Sequence, residues 1–362
     1  MTNVIMLIAG LIVLLLGGEL LVRGASKIAA VLGMSNLMIG LTVVSFGTSA
    51  PELAVCLDAV FSGTPELALG NIVGSNIANV LLILGVTACL YPIVVSRRIV
   101  WAEVPVMIGV SLLFLFLVLD RTLTRTDGII LLSAMVLFLV WQFWSEKKRE
   151  SGNPDSESED AEIELPRGKA KWLSSGGSIM LVVIGVAMLW RGANWMVEAA
   201  TEIATVMGVS QLVIGLTIVA VGSSLPEIVT AILATKKGHP EMAVGSVVGS
   251  NIANLLVVGG VMGTFSNTIS VPSELLTFNI PIMLACAVAC LPVFITGHKI
   301  DRWEGATFAT LFFLFTGYLI LEPRLPDLKA IEASTLAIII GVLVASTIAA
   351  ILFAKKRNKR SA

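Results

Sequence analysis

The chain is dominated by long apolar runs that are separated by short polar segments. Each run is near the ~20 residues that a membrane-spanning helix needs, whereas barrel strands would alternate over about ten residues. The pattern therefore predicts an all-α membrane protein. Eleven spans are expected, at Val4–Val22, Leu37–Phe61, Leu67–Tyr91, Trp101–Leu119, Gly128–Trp144, Ser178–Val197, Leu212–Ala234, Met242–Phe265, Leu275–Ile295, Ala306–Leu321 and Leu336–Phe353.

A charged, Ser-rich segment without hydrophobic periodicity separates the fifth run from the sixth, as in a solvated linker. The first residues lack the basic start and cleavage site of a signal peptide, so the first run is expected to be a retained helix. We divide the chain into a first five-helix repeat (1–145), a charged cytoplasmic linker (146–175) and a second five-helix repeat (176–322). An extra C-terminal helix (333–354) and a basic cytoplasmic tail (355–362) follow.

The two halves are copies of one unit. A shift of 175 positions places Val31–Leu53 on Val206–Ile228, and the same shift without a gap places Gly70–Gly85 on Gly245–Gly260. Chance does not keep one offset through so many matches, so the pattern indicates an internal duplication.

The basic residues predict how the copies are oriented. With the N-terminus outside, 19 of the 24 Lys and Arg fall in cytoplasmic segments and four in external ones. This asymmetry favours a cytoplasmic C-terminus. Because each unit has five spans, the second copy enters from the opposite side. The prediction is a ten-helix core of two inverted five-helix repeats, with broken helices at the midplane and one extra C-terminal helix.

Composition excludes several classes of protein. Only 14% of the residues are charged, with a mean hydropathy of +0.93, which is too little polar surface for a soluble enzyme. The net charge of −1 gives no basic field for nucleic acid. The four cysteines lie in apolar runs and are expected to be small buried hydrophobes. We expect no enzyme and no cofactor, and a lipid bilayer as the surroundings.

Two carboxylates stand in the middle of apolar runs, where each costs several kcal/mol unless it is paired or hydrated. They are Glu52 and Glu227, at equivalent positions of the two repeats. Both fit an S-x-x-E capping box, in which the Glu completes a helix start. A helix break at membrane depth still requires an explanation, because such breaks are tolerated mainly where they line a cavity.

Oxygen-bearing side chains surround both acids. Gly and Pro next to each Glu interrupt the helix and free backbone carbonyls, and Ser and Asn recur four residues apart in the following span. This all-oxygen set suits Ca²⁺ or Na⁺. Any one of these side chains alone would be read as packing between helices. The hydroxyl and amide candidates are Thr48, Ser49, Ser75, Asn79, Ser223, Ser224, Ser250 and Asn254.

The motifs GTSAPE and GSSLPE, followed by GNIVGSNIAN and GSVVGSNIAN, resemble the two α-repeats of the cation/calcium antiporter superfamily, the sodium/calcium exchanger group. The resemblance covers about ten spans. It implies alternating access, with Glu52 and Glu227 binding Ca²⁺ or Na⁺ in mutually exclusive turns. It also implies that the hydroxyls and amides named above complete the sites, with backbone carbonyls near Ser45 and Ala220.

One position departs from the pattern of the family. Many of its exchangers place an Asp where this chain has Asn254, so the obvious site charge here is −2. A third Na⁺ would lack its counter-charge, which puts a three-to-one stoichiometry and a K⁺-dependent mode in doubt. If the Asn oxygen suffices, the stoichiometry is unchanged.

Several functions are compatible with these residues. The leading hypothesis is a Na⁺-driven Ca²⁺ antiporter of a prokaryotic plasma membrane, and the alternative within that class is exchange driven by protons. A cation channel is a third hypothesis, although inverted repeats with paired acids favour a carrier. An intramembrane aspartyl hydrolase is a weak fourth, because Asp58 is the only Asp well inside a span and has no repeat partner. The sequence leaves the oligomeric state open.

Overall fold

The computed structural model describes residues 2–32, 35–152, 169–206, 211–266, 268–295 and 297–321. Within them, ten stretches are long and apolar enough to cross a membrane, as predicted. The eleventh run, the basic tail and linker residues 153–168 lie outside the described residues. The spans, numbered 1 to 10, are Ile8–Ile28, Leu37–Phe61, Pro65–Leu90, Ile99–Leu117, Arg125–Ser145, Gly176–Trp195, Leu212–Lys236, Pro240–Phe265, Leu275–Ile295 and Arg302–Leu321.

Most spans are built from more than one helical element. The α-helices of the described residues are α1 Thr2–Leu32, α2 Asn36–Ile39, α3 Ser45–Thr48, α4 Ala50–Phe61, α5 Pro65–Ala78, α6 Gly85–Leu90, α7 Val104–Leu117, α8 Arg125–Gly152, α9 Lys169–Val206, α10 Gln211–Ile214, α11 Ala220–Ser223, α12 Leu225–Lys236, α13 Pro240–Ala253, α14 Gly259–Phe265, α15 Ile280–Ile295 and α16 Arg302–Leu321. Short π-helical segments join several of them, at Gly40–Val44, Asn79–Leu84, Ile99–Glu103, Gly215–Val219, Asn254–Val258 and Leu275–Asn279.

Three of the described helices extend at least eight residues beyond the apolar runs that predict them. Helix α1 continues ten residues beyond Val22, and α8 and α9 extend into the charged segment as far as Gly152 and from Lys169. Polar residues do not end a helix by themselves when they are good helix formers. In α1, the pair of Glu19 and Arg23 lies four residues apart on one face, with Nε 2.5 Å from Oε1. The apolar pattern therefore reports the part of a helix that lipid can cover and not its full length.

The duplication extends to irregular backbone features. The π-helical segment Gly40–Val44 repeats at Gly215–Val219, which is the same offset of 175 residues that relates the sequences. The turn after span 2 has Gly63 at φ 77°, and the turn after span 7 has Gly238 at φ 84°. Only glycine adopts such a φ without strain. The two halves thus share one backbone plan.

The two repeats are packed into each other reciprocally. A Cβ added at Gly74 in span 3 would lie 2.5 Å from the Leu216 carbonyl oxygen, and one at Gly249 in span 8 would lie 2.8 Å from the Leu41 carbonyl oxygen. Spans 3 and 8 thus lie directly against the π-helical segments of the opposite repeat. They are also the most deeply buried spans, each with 89% of its apolar window inside the molecule.

Among the described residues, four short strands pair segments of one repeat with segments of the other, a detail that the all-α prediction did not contain. Strand β1 (Ile93–Val94) pairs antiparallel with β4 (Lys299–Ile300), and β2 (Thr122–Thr124) pairs antiparallel with β3 (Thr268–Ser270). The segment after span 3 therefore pairs with the segment after span 9, and the segment after span 4 with the segment after span 8.

Candidate cation-binding site

Spans 2 and 7 are each broken at their central residue. Ser49 lies twelve residues from both Leu37 and Phe61, and it leaves the helical conformation with φ −81° and ψ 1°. Ser224 occupies the same place in span 7, with φ −87° and ψ 6°. A proline lies two residues further on in each case, and its missing N–H removes the donor for the carbonyl four residues before it.

The acidic residues follow these breaks in the first turn of α4 and of α12. Glu52 and Glu227 are each 1% exposed. The N-terminus of a helix carries a partial positive charge, which favours a carboxylate there. The break and the acid thus form one local unit, present once in each repeat.

The capping-box interpretation is wrong. Ser49 and Ser224 are the N-cap residues of α4 and α12, but neither makes a side-chain cap hydrogen bond. Their hydroxyls reach across the repeats instead. Ser224 Oγ donates to Glu52 Oε1 at 3.1 Å, and Ser49 Oγ donates to Glu227 Oε1 at 3.5 Å. Each break therefore orients the carboxylate of the opposite repeat, which places both acids in one site.

Half of each carboxylate is left without a hydrogen-bond donor. Oε2 of Glu52 and Oε2 of Glu227 are buried and have no hydrogen-bond partner among the described residues. An unpartnered carboxylate oxygen in a buried site costs several kcal/mol. Two such oxygens from equivalent positions of both repeats are an arrangement that a cation, or protons, would complete.

Spans 3 and 8 bring further oxygens to the acids, but not equally. Ser250 Oγ donates to Glu227 Oε1 at 3.3 Å, whereas its counterpart Ser75 donates to the Ala220 carbonyl oxygen at 3.4 Å. The hydroxyls of Ser49, Ser250 and Thr48 interact with Glu227, whereas those of Ser224 and Ser223 interact with Glu52. Ser75 and Ser250 are thus equivalent in sequence but differ in their hydrogen bonds.

The two predicted amides also differ in their contacts. Both Asn79 and Asn254 are fully buried. Asn79 Nδ2 donates to Asn251 Oδ1 at 2.9 Å, while neither amide atom of Asn254 has a hydrogen-bond partner among the described residues. The Oδ1 atoms of Asn79 and Asn254 are both buried without a hydrogen-bond partner among the described residues and are available to a ligand, and the amides differ in their Nδ2 atoms.

Thr48 and Ser45 are buried close to the first break, and their hydroxyls donate to backbone carbonyls of the same span. Thr48 Oγ1 donates to the Val44 carbonyl oxygen at 3.0 Å, and Ser45 Oγ donates to the Leu41 carbonyl oxygen at 2.7 Å. The structure thus places Ser224 in contact with Glu52, and Ser49 and Ser250 in contact with Glu227. Thr48 also interacts with the Glu227 carboxylate, whereas Ser45 Oγ bonds to carbonyl oxygens of its own span.

Asn71 is a site residue that the sequence interpretation missed. Its Oδ1 accepts from Ser223 Oγ at 3.1 Å and from Ser75 Oγ at 3.4 Å, and its Nδ2 donates to Cys56 Sγ at 3.3 Å. It therefore joins the two repeats beside the acids. The signal was present, because Asn71 precedes Ser75 by the same four residues that separate Ser75 from Asn79.

The donor set consists of oxygens. Carboxylate, hydroxyl, amide and carbonyl oxygens are ligands of hard cations such as Ca²⁺, which takes six to eight of them. The described residues contain no group of three or more His, Cys, Asp or Glu side chains that could hold a metal ion. Among the described residues, the charge at this site is therefore that of the Glu52 and Glu227 carboxylates, and neutral oxygens would supply the remaining ligands.

Comparison with known proteins places these features in a class. The sodium/calcium exchanger protein family matches residues 2–144 and 177–321, which cover both repeats. The chain belongs to this family, and it is a multi-span membrane antiporter of that class.

Individual relatives agree with this membership. The chain is 32% identical over 340 residues to the sodium/calcium exchanger MaX1 of Methanosarcina acetivorans, covering 86% of this chain and 97% of that protein. It is 37% identical over 257 residues to the inner membrane protein YrbG of Escherichia coli, covering 70% and 77%. The fold is similar to that of the sodium-calcium exchanger NCX_Mj soaked with 2.5 mM Na⁺ and 1 mM Sr²⁺. The TM-score is 0.71 at 28% identity, and the match covers 88% of this chain and 98% of that one.

Proposed function

We propose that this chain exchanges Ca²⁺ for Na⁺ across a membrane by alternating access. Glu52 and Glu227 would bind the two ions in turn, and the surrounding hydroxyl, amide and carbonyl oxygens would complete the coordination. The observation that carries the proposal is the reciprocal pair of Ser–Glu hydrogen bonds, which joins both acids in one buried site and leaves one oxygen of each without a donor.

Exchange follows from the cost of an empty site. Two buried carboxylates repel each other when no cation is bound, and burial penalises their charged forms. A bound Ca²⁺, two Na⁺ or protons would neutralise them before the site crosses the low-dielectric interior. The empty site is then confined to the side on which it was emptied, so that transport of one ion requires return of the other.

The site charge argues for an electroneutral cycle. Glu52 and Glu227 supply −2, which balances one Ca²⁺ or two Na⁺, while Asn254 adds an oxygen without a charge. Exchange of three Na⁺ for one Ca²⁺ would move one net charge, and the membrane potential would bias it by about 2.3 kcal/mol per 100 mV. Two-for-one exchange would not respond to the potential.

We further infer that residues 1–145 and 176–322 form inverted repeats. Equivalent glycines contact equivalent partners in both directions, as expected for a pseudo-two-fold relation. The strand pairing supports inversion, because the segment after span 3 pairs with the one after span 9 and not with its own equivalent after span 8. Two segments one span apart in the repeat share a side only if one repeat is turned over.

The orientation that we propose places the N-terminus outside and the C-terminus in the cytoplasm of a plasma (inner) membrane. The bias of basic residues towards one side supports it. Lys236 and Lys237, next to the turn between spans 7 and 8, would then be cytoplasmic. The turn between spans 2 and 3, near Asp58 and Glu66, would be external.

The test is uptake of ⁴⁵Ca²⁺ into proteoliposomes loaded with Na⁺, compared with K⁺-loaded vesicles and with an imposed pH gradient. We expect uptake that requires internal Na⁺ and disappears in Glu52→Gln. The matched control is Glu66→Gln, which removes an exposed carboxylate at the end of the same hairpin and should transport normally. Uptake that follows the pH gradient and ignores Na⁺ would replace the proposal with proton-driven exchange.

A further inference from the structure

The two repeats differ at the ends of their broken spans, next to the turns between spans 2 and 3 and between spans 7 and 8. We call the region next to the turn between spans 2 and 3 the first side, and the region next to the turn between spans 7 and 8 the second side. On the first side a cavity of about 420 Å³ lies between α4 and α9. Several of its lining residues are polar, and they stand close to the turn at Gly63, where water reaches the protein. These lining residues include Asp58, Ser62, Thr64, Trp190 and Asn194.

The cavity leads towards the acidic pair. Asp58 follows Glu52 by six residues on α4, which is about 9 Å along the helix axis. Ala54 and Val55, which lie between them, also line the cavity. The cavity thus extends along α4 from the level of Asp58 to less than one turn from Glu52.

The second side has different residues at the same places. The offset of 175 residues relates Ser62 to Lys237 and Asn194 to Glu19. Here the two side chains meet, with Lys237 Nζ 2.7 Å from Glu19 Oε1. The ion pair joins span 1 to the end of span 7, where the first repeat has the polar lining of a cavity.

Bulkier side chains accompany this contact. The equivalents of Ala54 and Asp58 are Val229 and Leu233. A Cβ added at Gly18 in span 1 would lie 2.4 Å from Val229 Cγ1 and 3.3 Å from Leu233 Cδ1. Span 1 therefore lies directly on α12, over the face that on the first side borders the cavity.

We infer that the Glu19–Lys237 ion pair is a gate on the access route of the second repeat. It holds span 1 against span 7 while the cavity beside Asp58 is open. The inference rests on the proposed transport function, which requires an access route from each side. It adds the residues that close one route in this state.

The chemistry of the pair suits a contact that must open. The side chains of Lys237 and Glu19 are 27% and 28% exposed, and Lys237 Nζ itself is buried within the contact. Glu19 also accepts from Arg23 Nε at 2.5 Å, which helps to hold its carboxylate in place. A partly exposed ion pair changes an equilibrium by only a small factor. An interaction of this strength favours the closed gate but still allows it to open.

The gate is tested by the rate at which a charged thiol reagent labels Leu233→Cys in purified protein, measured by mass spectrometry of the labelled peptide. In a Lys237→Gln background the rate should rise by up to about fivefold. Lys237→Arg preserves the pair and should restore slow labelling. Lys236→Gln removes an exposed neighbouring charge and should change nothing. Val229→Cys provides a second reporter if Leu233→Cys disturbs packing.

Equal labelling rates in the Lys237→Gln, Lys236→Gln and parent backgrounds, at both reporters, would overturn the gate. The labelling needs no ion gradient, so its result stands whether or not Ca²⁺ uptake proves to depend on Na⁺. Ser62→Cys in the open cavity separates the gate from the proposed function. A Lys237→Gln background that speeds labelling at position 233 and slows it at position 62 supports alternating access. Faster labelling at position 233 alone supports the gate and contradicts alternating access.

Discussion

The first and second repeats are nearly the same at the centre of the molecule and differ towards its ends. At the centre, a serine breaks each span, an acid follows it, and each serine bonds to the acid of the other repeat. At the ends, one repeat has Asp58 beside an open cavity and the other has Lys237 paired with Glu19. In the proposed cycle one site is reached from both sides and is therefore expected to be similar in the two repeats, whereas the two access routes open one at a time.

The comparison also shows where the centre is not symmetric. Glu227 accepts from Ser49 and Ser250, while Glu52 accepts from Ser224. Asn71 bonds to both Ser75 and Ser223, and its counterpart is the shorter Ser246. The two acids therefore have different immediate surroundings, and substitutions at equivalent positions should have unequal effects.

The largest expected effect is the loss of either central acid. Glu52→Gln and Glu227→Gln each remove one of the two charges that would balance a bound Ca²⁺ in the proposed site, so Ca²⁺ uptake should fall to background in both. If one variant kept most of its activity, the acids would not share one site. Uptake into Na⁺-loaded proteoliposomes, with protein recovery checked by gel filtration, measures this directly.

The next effect concerns the two buried amides. Asn254→Asp adds a third charge where the amide has no hydrogen-bond partner among the described residues, and it should raise Ca²⁺ affinity by roughly tenfold. Asn79→Asp adds the same charge but replaces the amide that donates to Asn251, so its gain should be smaller. Isothermal titration with Ca²⁺ compares the two. Identical shifts would show that the hydrogen bond to Asn251 does not matter.

A smaller effect is expected when the repeats are made alike around Asn71. Asn71→Ser gives the first repeat the residue of the second and removes a group that bonds to Ser75 and Ser223. Ca²⁺ affinity should fall by about fivefold, the value of one net hydrogen bond. Ser246→Asn is the reciprocal control. A larger loss in Ser246→Asn than in Asn71→Ser would contradict the assigned role of Asn71.

The smallest effect is expected at the mouth of the cavity. Asp58→Asn removes an exposed carboxylate that attracts cations, so uptake at subsaturating Ca²⁺ should slow by about two- to threefold at low ionic strength and less at high salt. The maximal rate should not change. A defect that is independent of salt would argue against electrostatic attraction.

The features that the two repeats share could mostly be predicted from the sequence, whereas the contacts between the repeats could not. The offset of 175 residues and the apolar runs indicated ten of the spans and the central acids, because burial and duplication leave marks along the chain. The hydrogen-bond partners of Ser49 and Ser224 could not be predicted from the neighbouring sequence. Each lies within three residues of one Glu and bonds to the other, which is more than 170 residues away.

Asymmetric contacts were equally hidden. In the sequence, Glu19 is a polar residue within the first apolar run and Lys237 is a charged residue at the end of the seventh. Nothing in the sequence indicates that they meet. Their contact depends on how span 1 crosses span 7, which Gly18 permits by its lack of a side chain. Asn71, in contrast, was within reach of the spacing argument that found Ser75 and Asn79.

The central claim is that Ca²⁺ and Na⁺ compete for one site built on Glu52 and Glu227. Equilibrium binding of ⁴⁵Ca²⁺ to the purified protein at increasing Na⁺, with K⁺ keeping the ionic strength constant, tests it most directly. The account predicts that Na⁺ raises the apparent Kd for Ca²⁺ without lowering the number of sites, and that Glu52→Gln abolishes binding. Ca²⁺ binding that Na⁺ leaves unchanged, or that survives in Glu52→Gln, would contradict it.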